Sequence, residues 1–296
     1  APWGQTPWSL TRGAMGSDTM VADSESHGTS SPKQPRWKPE GCLRHSPGMT
    51  SPVHLILGAT GGIGAALARQ LAGDGARLVL AARNEAALAA LGAELGATTV
   101  VVDATVASDI DRAVETAVQT YGRIDGAANC VGSILLKPAH LTRPEEFDDV
   151  ISVNLRSAFS LVRAATRPMM NNTEPAGGSI VLVASAAARI GLANHEAIAA
   201  AKGGIMSLTL SAAASYAAKQ VRVNCVAPGL VRTPLTARIT GNAAAEQSSL
   251  AMHAIGRLGE PGDVARAIAF LLDPQNSWIT GQTLGVDGGL GTLRSR

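Results

Sequence analysis

With 296 residues the chain has room for one large domain or two small ones, and length alone does not choose. Hydrophobic residues make up 46% but aromatics only 3%, so the core must be built from Ala, Val, Leu and Ile, as in a parallel sheet covered by helices on both faces. A net charge of +2 excludes a strongly basic nucleic-acid surface.

Residues 1–50 hold three of the four tryptophans (Trp3, Trp8, Trp37), many Ser, Pro and Gly, and no apolar period of 2 or 3.6. Such a segment buries too little apolar surface to offset its ordering entropy and is expected to be a disordered extension. The folded domain is expected over 51–296. Strand and helix patterns then alternate: strand Val53–Leu57, a glycine turn, a helix to about Gly73, strand Arg77–Ala82, helix Glu85–Leu95, strand Thr98–Val102 and helix Ala107–Tyr121. Strand Asp125–Val131, helical pattern over Pro144–Met169, strand Ser179–Ala184, helix Ala197–Ala218 and strand Val221–Val226 follow. The chain closes with helix Pro261–Leu272 and strand Thr283–Val286. Strands alternating with helices of this length predict βαβ units: an α/β fold, a single Rossmann-type doubly wound parallel sheet with helices on both faces. Its ligand site falls at the carboxyl ends of the strands.

The uncharged stretch Gly203–Ala218 is interrupted by Ser and Thr and falls short of the ~20 residues of a membrane helix. It reads as a buried helix, so neither a membrane nor a nucleic acid is expected as partner. Cys42, Cys130 and Cys225 have no metal-ligand spacing; no metal site is expected, and unpaired cysteines fit a reducing, cytoplasmic setting.

The turn Leu57-Gly58-Ala59-Thr60-Gly61-Gly62-Ile63-Gly64 joins the first strand to the first helix. Its first glycine permits a tight turn, the middle one lets backbone approach a pyrophosphate, and the last lets helix pack on strand. The helix N-terminus then offers N–H groups to phosphate. A lone glycine motif is weak; at the head of a βαβ series it predicts a dinucleotide.

The G-x-x-x-G-x-G spacing resembles that of the short-chain dehydrogenase/reductase family, and the resemblance runs from Val53 nearly to the C-terminus. Val102-Asp103-Ala104 looks like the family's adenine-contacting segment. Ala128-Asn129-Cys130-Val131-Gly132 is similar to N-N-A-G, with Cys130 replacing the second Asn. Asn154 falls where the family has an Asn that orders a proton-relay water, and Ser185 where it has a substrate-binding Ser. Pro228-Gly229, with Val231 and Thr233, resembles the segment that holds the nicotinamide carboxamide. Gly256–Pro261 and Val286–Gly289 are similar to 3-oxoacyl-carrier-protein reductase-like members. The resemblance implies an NAD(P)-dependent oxidoreductase acting on a small carbonyl, alcohol or enoyl substrate. It also implies a homo-oligomer, dimer or tetramer, through Gly203–Ala218 and Thr280–Gly289.

The second strand ends Ala82-Arg83-Asn84, without a carboxylate for a ribose 2′-OH. Arg83 can pair with a 2′-phosphate, which favours NADP(H) over NAD(H), although Gly61 stands where the family's second basic marker would be. The family's catalytic set is a Tyr, a Lys four residues later and a Ser about thirteen before the Tyr. Lys202 matches the Lys. Counting back four from Lys202, or forward thirteen from Ser185, gives Ile198, which has no proton to donate. His195, seven before Lys202, has a suitable unperturbed pKa and enoyl-reductase relatives place their Tyr there; it also reads as a solvated loop histidine beside Glu196. A water linked to Lys202 is another candidate donor. A catalyst with an atypical site and a non-catalytic dinucleotide-binding partner or sensor therefore both stand at this point.

Overall fold

Short aliphatic runs set the strands, because two buried faces select Val, Leu, Ile and Ala without polar alternation. The computed structural model describes residues 51–293; the extension expected over 1–50 lies outside them. In chain order the elements are β1 (Val53–Leu57), α1 (Gly62–Gly73), β2 (Arg77–Ala82), α2 (Glu85–Leu95), β3 (Thr98–Val101), α3 (Ala107–Tyr121) and β4 (Gly126–Asn129). Then come α4 (Pro144–Val150), a π-helical stretch (Ile151–Arg156), α5 (Ser157–Met169), β5 (Gly178–Val183), α6 (Glu196–Tyr216) and β6 (Val221–Pro228). The last are α7 (Ala237–Thr240), α8 (Ala243–Met252), α9 (Pro261–Leu272) and β7 (Thr283–Val286).

The sheet has seven strands in the order β3-β2-β1-β4-β5-β6-β7, with every neighbouring pair parallel. Alternate side chains leave a strand on opposite faces. Leu55 and Leu57 of β1 therefore enter the core beneath α3, α5 and α6, with Ile110, Leu161 and Ile205. Ile56 enters the core beneath α1, α2 and α9, with Leu67, Leu88 and Ile268. Successive strands are added outward in one direction from β1 to β3 and in the other from β4 to β7, so the ligand crevice opens at the carboxyl ends of β1 and β4.

Three segments depart from expectation. Strand β4 is shorter than Asp125–Val131 because the Asn129 side chain accepts from the Val131 N–H (3.0 Å), turning the backbone out of the ladder. The helical pattern over Pro144–Met169 is interrupted: the Ser157 N–H reaches back five residues to the Ser152 carbonyl. The Ala-, Ser- and Thr-rich stretch between Thr233 and Arg257, a lid with no expected element of its own, contains α7 and α8, and the Asn242 side chain caps α8 by accepting from the Ala245 N–H (3.0 Å). Among the described residues Glu196–Lys219 is long and apolar enough to cross a membrane, more than the interrupted 203–218 stretch suggested. Here it packs on β6, with Lys202 and Thr209 buried.

Candidate active site

The glycine turn begins at Gly58, whose φ of +75° is open to glycine and strained for other residues. A Cβ there would stand 2.9 Å from the Cys130 carbonyl carbon and the Val131 nitrogen, so the β1 turn and the end of β4 touch backbone to backbone. A Cβ on Gly64 would collide with the Gly58 carbonyl oxygen, which fixes the helix close to the strand. Gly61 is the N-cap of α1 and provides no capping side chain, and the first turn carries no acidic residue. The first helical N–H bonded back is that of Ala65, to the Gly61 carbonyl (2.8 Å). The N-terminal N–H groups of Gly62, Ile63 and Gly64 thus face outward without intrahelical partners, the donor set a pyrophosphate fits. Thr60 is half-buried at the turn, and Gly62 faces Thr233, with the Thr233 Cγ2 2.8 Å from its Cβ position.

Arg83 lies exposed beyond β2 and makes no ion pair among the described residues, although its charge acts on Asp103. The Asp103 carboxylate accepts from the backbone N–H (2.9 Å) and hydroxyl (2.7 Å) of Thr105, which holds its pKa below the usual range. Ala104 is buried in the core. Beyond β6, the Gly229 N–H donates to the Val286 carbonyl (3.2 Å), and the Leu230 N–H to Nε2 of buried His253 at the end of α8 (3.1 Å). Val231 is buried and bridges to Gly259. Thr233 donates its N–H to Thr236 Oγ1 (3.0 Å). The segment from Pro228 to Thr233 is therefore clamped between the lid and β7.

At the centre of the crevice, Lys202 of α6 is 7% exposed and donates from Nζ to the Val183 carbonyl at the end of β5 (2.8 Å). Ser185 follows two residues later and accepts from the Ala187 N–H (3.2 Å). Burial lowers the Lys202 ammonium to about 8, against the raising influence of Cys130 and Cys225. Burial also pushes the Cys130 thiol up to about 12, so it stays neutral although Lys202 opposes the shift. Gly132 sits between two polar groups: its Cβ position is 3.2 Å from Asn154 Oδ1 and 3.6 Å from Lys202 Nζ. Asn154 is wholly buried on the π-helical stretch. Its Nδ2 donates to Ser133 Oγ (2.9 Å) and the Val150 carbonyl (2.9 Å), and its Oδ1 accepts from the Ser133 N–H (3.2 Å).

Two of the sequence-predicted residues stand apart from this group. Asn129 is buried, with Nδ2 donating to Ser157 Oγ (3.0 Å), so both ends of its amide brace the turn after β4. His195 is the N-cap of α6, half-exposed, with Nδ1 2.7 Å from the Ala193 carbonyl. Ile198, one turn before Lys202, is 4% exposed and packs with Val150, Ala197 and Ala201, flanked by Leu135 and Leu155. Sequence reasoning missed Ser133; a hydroxyl directly after the Asn129–Gly132 segment was the available signal. Among the described residues no cluster of metal-ligating side chains converges.

An uncapped glycine-rich helix start at a doubly wound switch point, beside a buried lysine, is the architecture of a nicotinamide oxidoreductase. Across residues 58–291 the chain matches the family profile described as Enoyl-(Acyl carrier protein) reductase. It is 36% identical over 245 residues to a 3-oxoacyl-[acyl-carrier-protein] reductase of Thermotoga maritima, covering 80% of this chain and 97% of that protein. It is also 36% identical over 255 residues to an A-factor type gamma-butyrolactone 1'-reductase of Streptomyces virginiae, covering 83% and 97%. Among solved structures, a short-chain type dehydrogenase/reductase from Mycobacterium ulcerans superposes with a TM-score of 0.78 at 30% identity, covering 82% of this chain and 91% of that one. A 3-ketoacyl-(acyl-carrier-protein) reductase from Brucella melitensis, complexed with NADH, gives 0.74 at 33% identity, covering 81% and 98%. The chain belongs to the short-chain dehydrogenase/reductase family of oxidoreductases.

Proposed function

We propose that this chain reduces a small, mainly apolar carbonyl or enoyl substrate, or oxidises the corresponding alcohol, with NADP(H) preferred over NAD(H). The observation that carries the reading is buried Lys202, tethered at the end of β5 two residues from Ser185 and next to Asn154. A nicotinamide dinucleotide would supply or accept hydride. The residues proposed to hold it are Gly58, Thr60, Gly61, Gly62, Ile63 and Gly64 at the phosphates, Arg83, Asp103 and Ala104 at the adenosine, and Asn129 and Gly132 at and just beyond the end of β4. Lys202 would hold the nicotinamide ribose, and Pro228, Gly229, Val231 and Thr233 the carboxamide side. Ser185 orients the substrate oxygen. The proton comes from the Lys202 side of the site, where an ammonium lowered to about 8 is a far better acid than an exposed lysine. His195 is the second candidate, and its ring is engaged with its own loop. Exposed Phe159, Leu210 and Leu284 on α5, α6 and β7 support assembly into a dimer or tetramer, which size-exclusion chromatography tests.

NADPH oxidation against ketones, acetoacetyl thioesters and enoyl thioesters tests the activity. Turnover with one class supports it; NADPH binding with no turnover on any of them overturns it in favour of a non-catalytic dinucleotide-binding protein. That second reading draws on Ile198, an apolar, buried side chain one helical turn from Lys202. Loss of turnover in His195→Ala would move the proton source from Lys202 to His195.

A further inference from the structure

Resting on the oxidoreductase reading above, we infer that Ser133 is a further catalytic residue of this site. Its hydroxyl is the proton-donating group that faces the substrate oxygen. The segment after β4 runs antiparallel along α6 and is pinned to it at three levels. Gly132 lies against Lys202, with its Cβ position 3.6 Å from Nζ. Leu135 packs into the cluster of Ile198, Ala197 and Ala201. The Lys137 N–H donates to the Asn194 carbonyl (2.8 Å), just before α6 begins. Ser133 is bracketed between the first two levels, beside the helical turn that links Ile198 to Lys202.

Its surroundings leave the hydroxyl proton available. Ser133 Oγ accepts from Asn154 Nδ2 (2.9 Å), and its own N–H is fixed by Asn154 Oδ1 (3.2 Å). The side chain therefore has a defined position, and its O–H still has a proton to give. Accepting a hydrogen bond also polarises that O–H toward a further acceptor. Ser133 is half-buried, in contrast to wholly buried Asn154, so the hydroxyl borders the open crevice. In the reduction direction, hydride adds to the carbonyl carbon and the nicotinamide is oxidised. The carbonyl oxygen takes the proton from Ser133 Oγ as the serine O–H breaks. The serine oxygen then regains a proton from water in exchange with the Lys202 ammonium.

The test compares wild type, Ser133→Ala, Ser133→Thr, Ile198→Tyr and Ser133→Ala/Ile198→Tyr. It measures NADPH affinity by fluorescence and kcat and KM with acetoacetyl-coenzyme A and a panel of ketones. Ser133→Ala is expected to lower kcat about 100-fold with NADPH affinity held within about threefold. Ser133→Thr should regain much of the loss, since it restores the hydroxyl. Where Ile198→Tyr supplies another acid, Ser133→Ala should cost less than about threefold, a non-additivity that lost packing would not produce. If wild type turns over a substrate and Ser133→Ala stays within about twofold in kcat, the Ser133 assignment is overturned and the oxidoreductase reading stands. If wild type binds NADPH but turns over nothing, the oxidoreductase reading itself falls, and this assignment with it. A Ser133→Ala protein that loses NADPH affinity along with kcat, and that Thr does not rescue, marks a structural role and overturns the assignment.

Discussion

Replacing Ile198 with Tyr asks whether the rest of the site is competent. Ile198 is 4% exposed among Val150, Ala197, Ala201, Leu135, Ile151 and Leu155, so a larger ring overfills that cluster. Overpacking of this kind costs about 1–3 kcal/mol. A domain with a stability of about 5–15 kcal/mol survives such a loss. On the other side, a positioned general acid is worth about 10²–10⁴ in rate, of which Ser133 already supplies about 10², so a phenol adds at most about another 10². At about 1.4 kcal/mol per tenfold, that lowers the barrier by up to about 3 kcal/mol, while the packing loss falls on folding stability and leaves the protein folded. Lys202 and Ser185 are already in place at the end of β5 to work with the phenol. The assay is NADPH oxidation with the thioester and ketone panel, alongside a thermal melt and NADPH affinity. A folded Ile198→Tyr protein that binds NADPH yet stays within about threefold of wild type on every substrate would refute the reasoning.

Lys202, lowered to about 8 by burial, should set the alkaline limb of reduction: kcat falls as pH rises through about 8, and Lys202→Met abolishes turnover while weakening NADPH binding. Stopped assays across a pH series read this directly, and a flat profile to pH 10 would count against Lys202 as the proton source. Arg83→Ala should weaken NADPH binding about 10- to 100-fold, the worth of a charge-assisted pair, and leave NADH within about threefold; equal loss for both would remove Arg83 from cofactor choice. Burial pushes His54 down to about 4 from 6.5, with Asp125 and Asp273 opposing, and its Nδ1 has no hydrogen-bond partner. The unfolded chain therefore binds the extra proton between pH 6.5 and about 4, and stability falls by on the order of 3 kcal/mol as pH drops through that window. Urea titrations of wild type and His54→Leu should diverge as pH rises from 4 to 6.5, the variant showing the flatter slope.

The strands were legible because a two-sided sheet demands uninterrupted aliphatic runs, and Val53–Leu57 and Arg77–Ala82 end where those runs end. The glycine turn was legible because each glycine answers a steric need. The π-helical stretch was not, since hydrophobic periodicity cannot register one extra residue in a turn when the flanking faces remain apolar. Helix α8 was hidden in an Ala- and Ser-rich lid with no buried residue and hence no apolar face; only Asn242 marked its start. Asn129 and Asn154 were both singled out by type, yet a sequence does not say where an amide points. One braces a turn, and the other pairs with a serine that carried no motif of its own.

The π-helical turn over Ile151–Arg156 has a consequence for how this chain can vary in length. Each residue of a regular helix advances by about 100°, so a deletion in α4 or α5 rotates one flank against the other, whereas the wider π turn can give up its extra residue and leave both flanks in register. What an excision at 151–156 disturbs is local: Asn154, inside the turn, loses its place beside Ser133, while Ser157 beyond the turn keeps its bond to Asn129. A deletion scan of 144–169 should therefore leave the protein folded but lacking NADPH turnover at 151–156, and unfold it within 157–169, where a rotation turns the buried face of α5 outward.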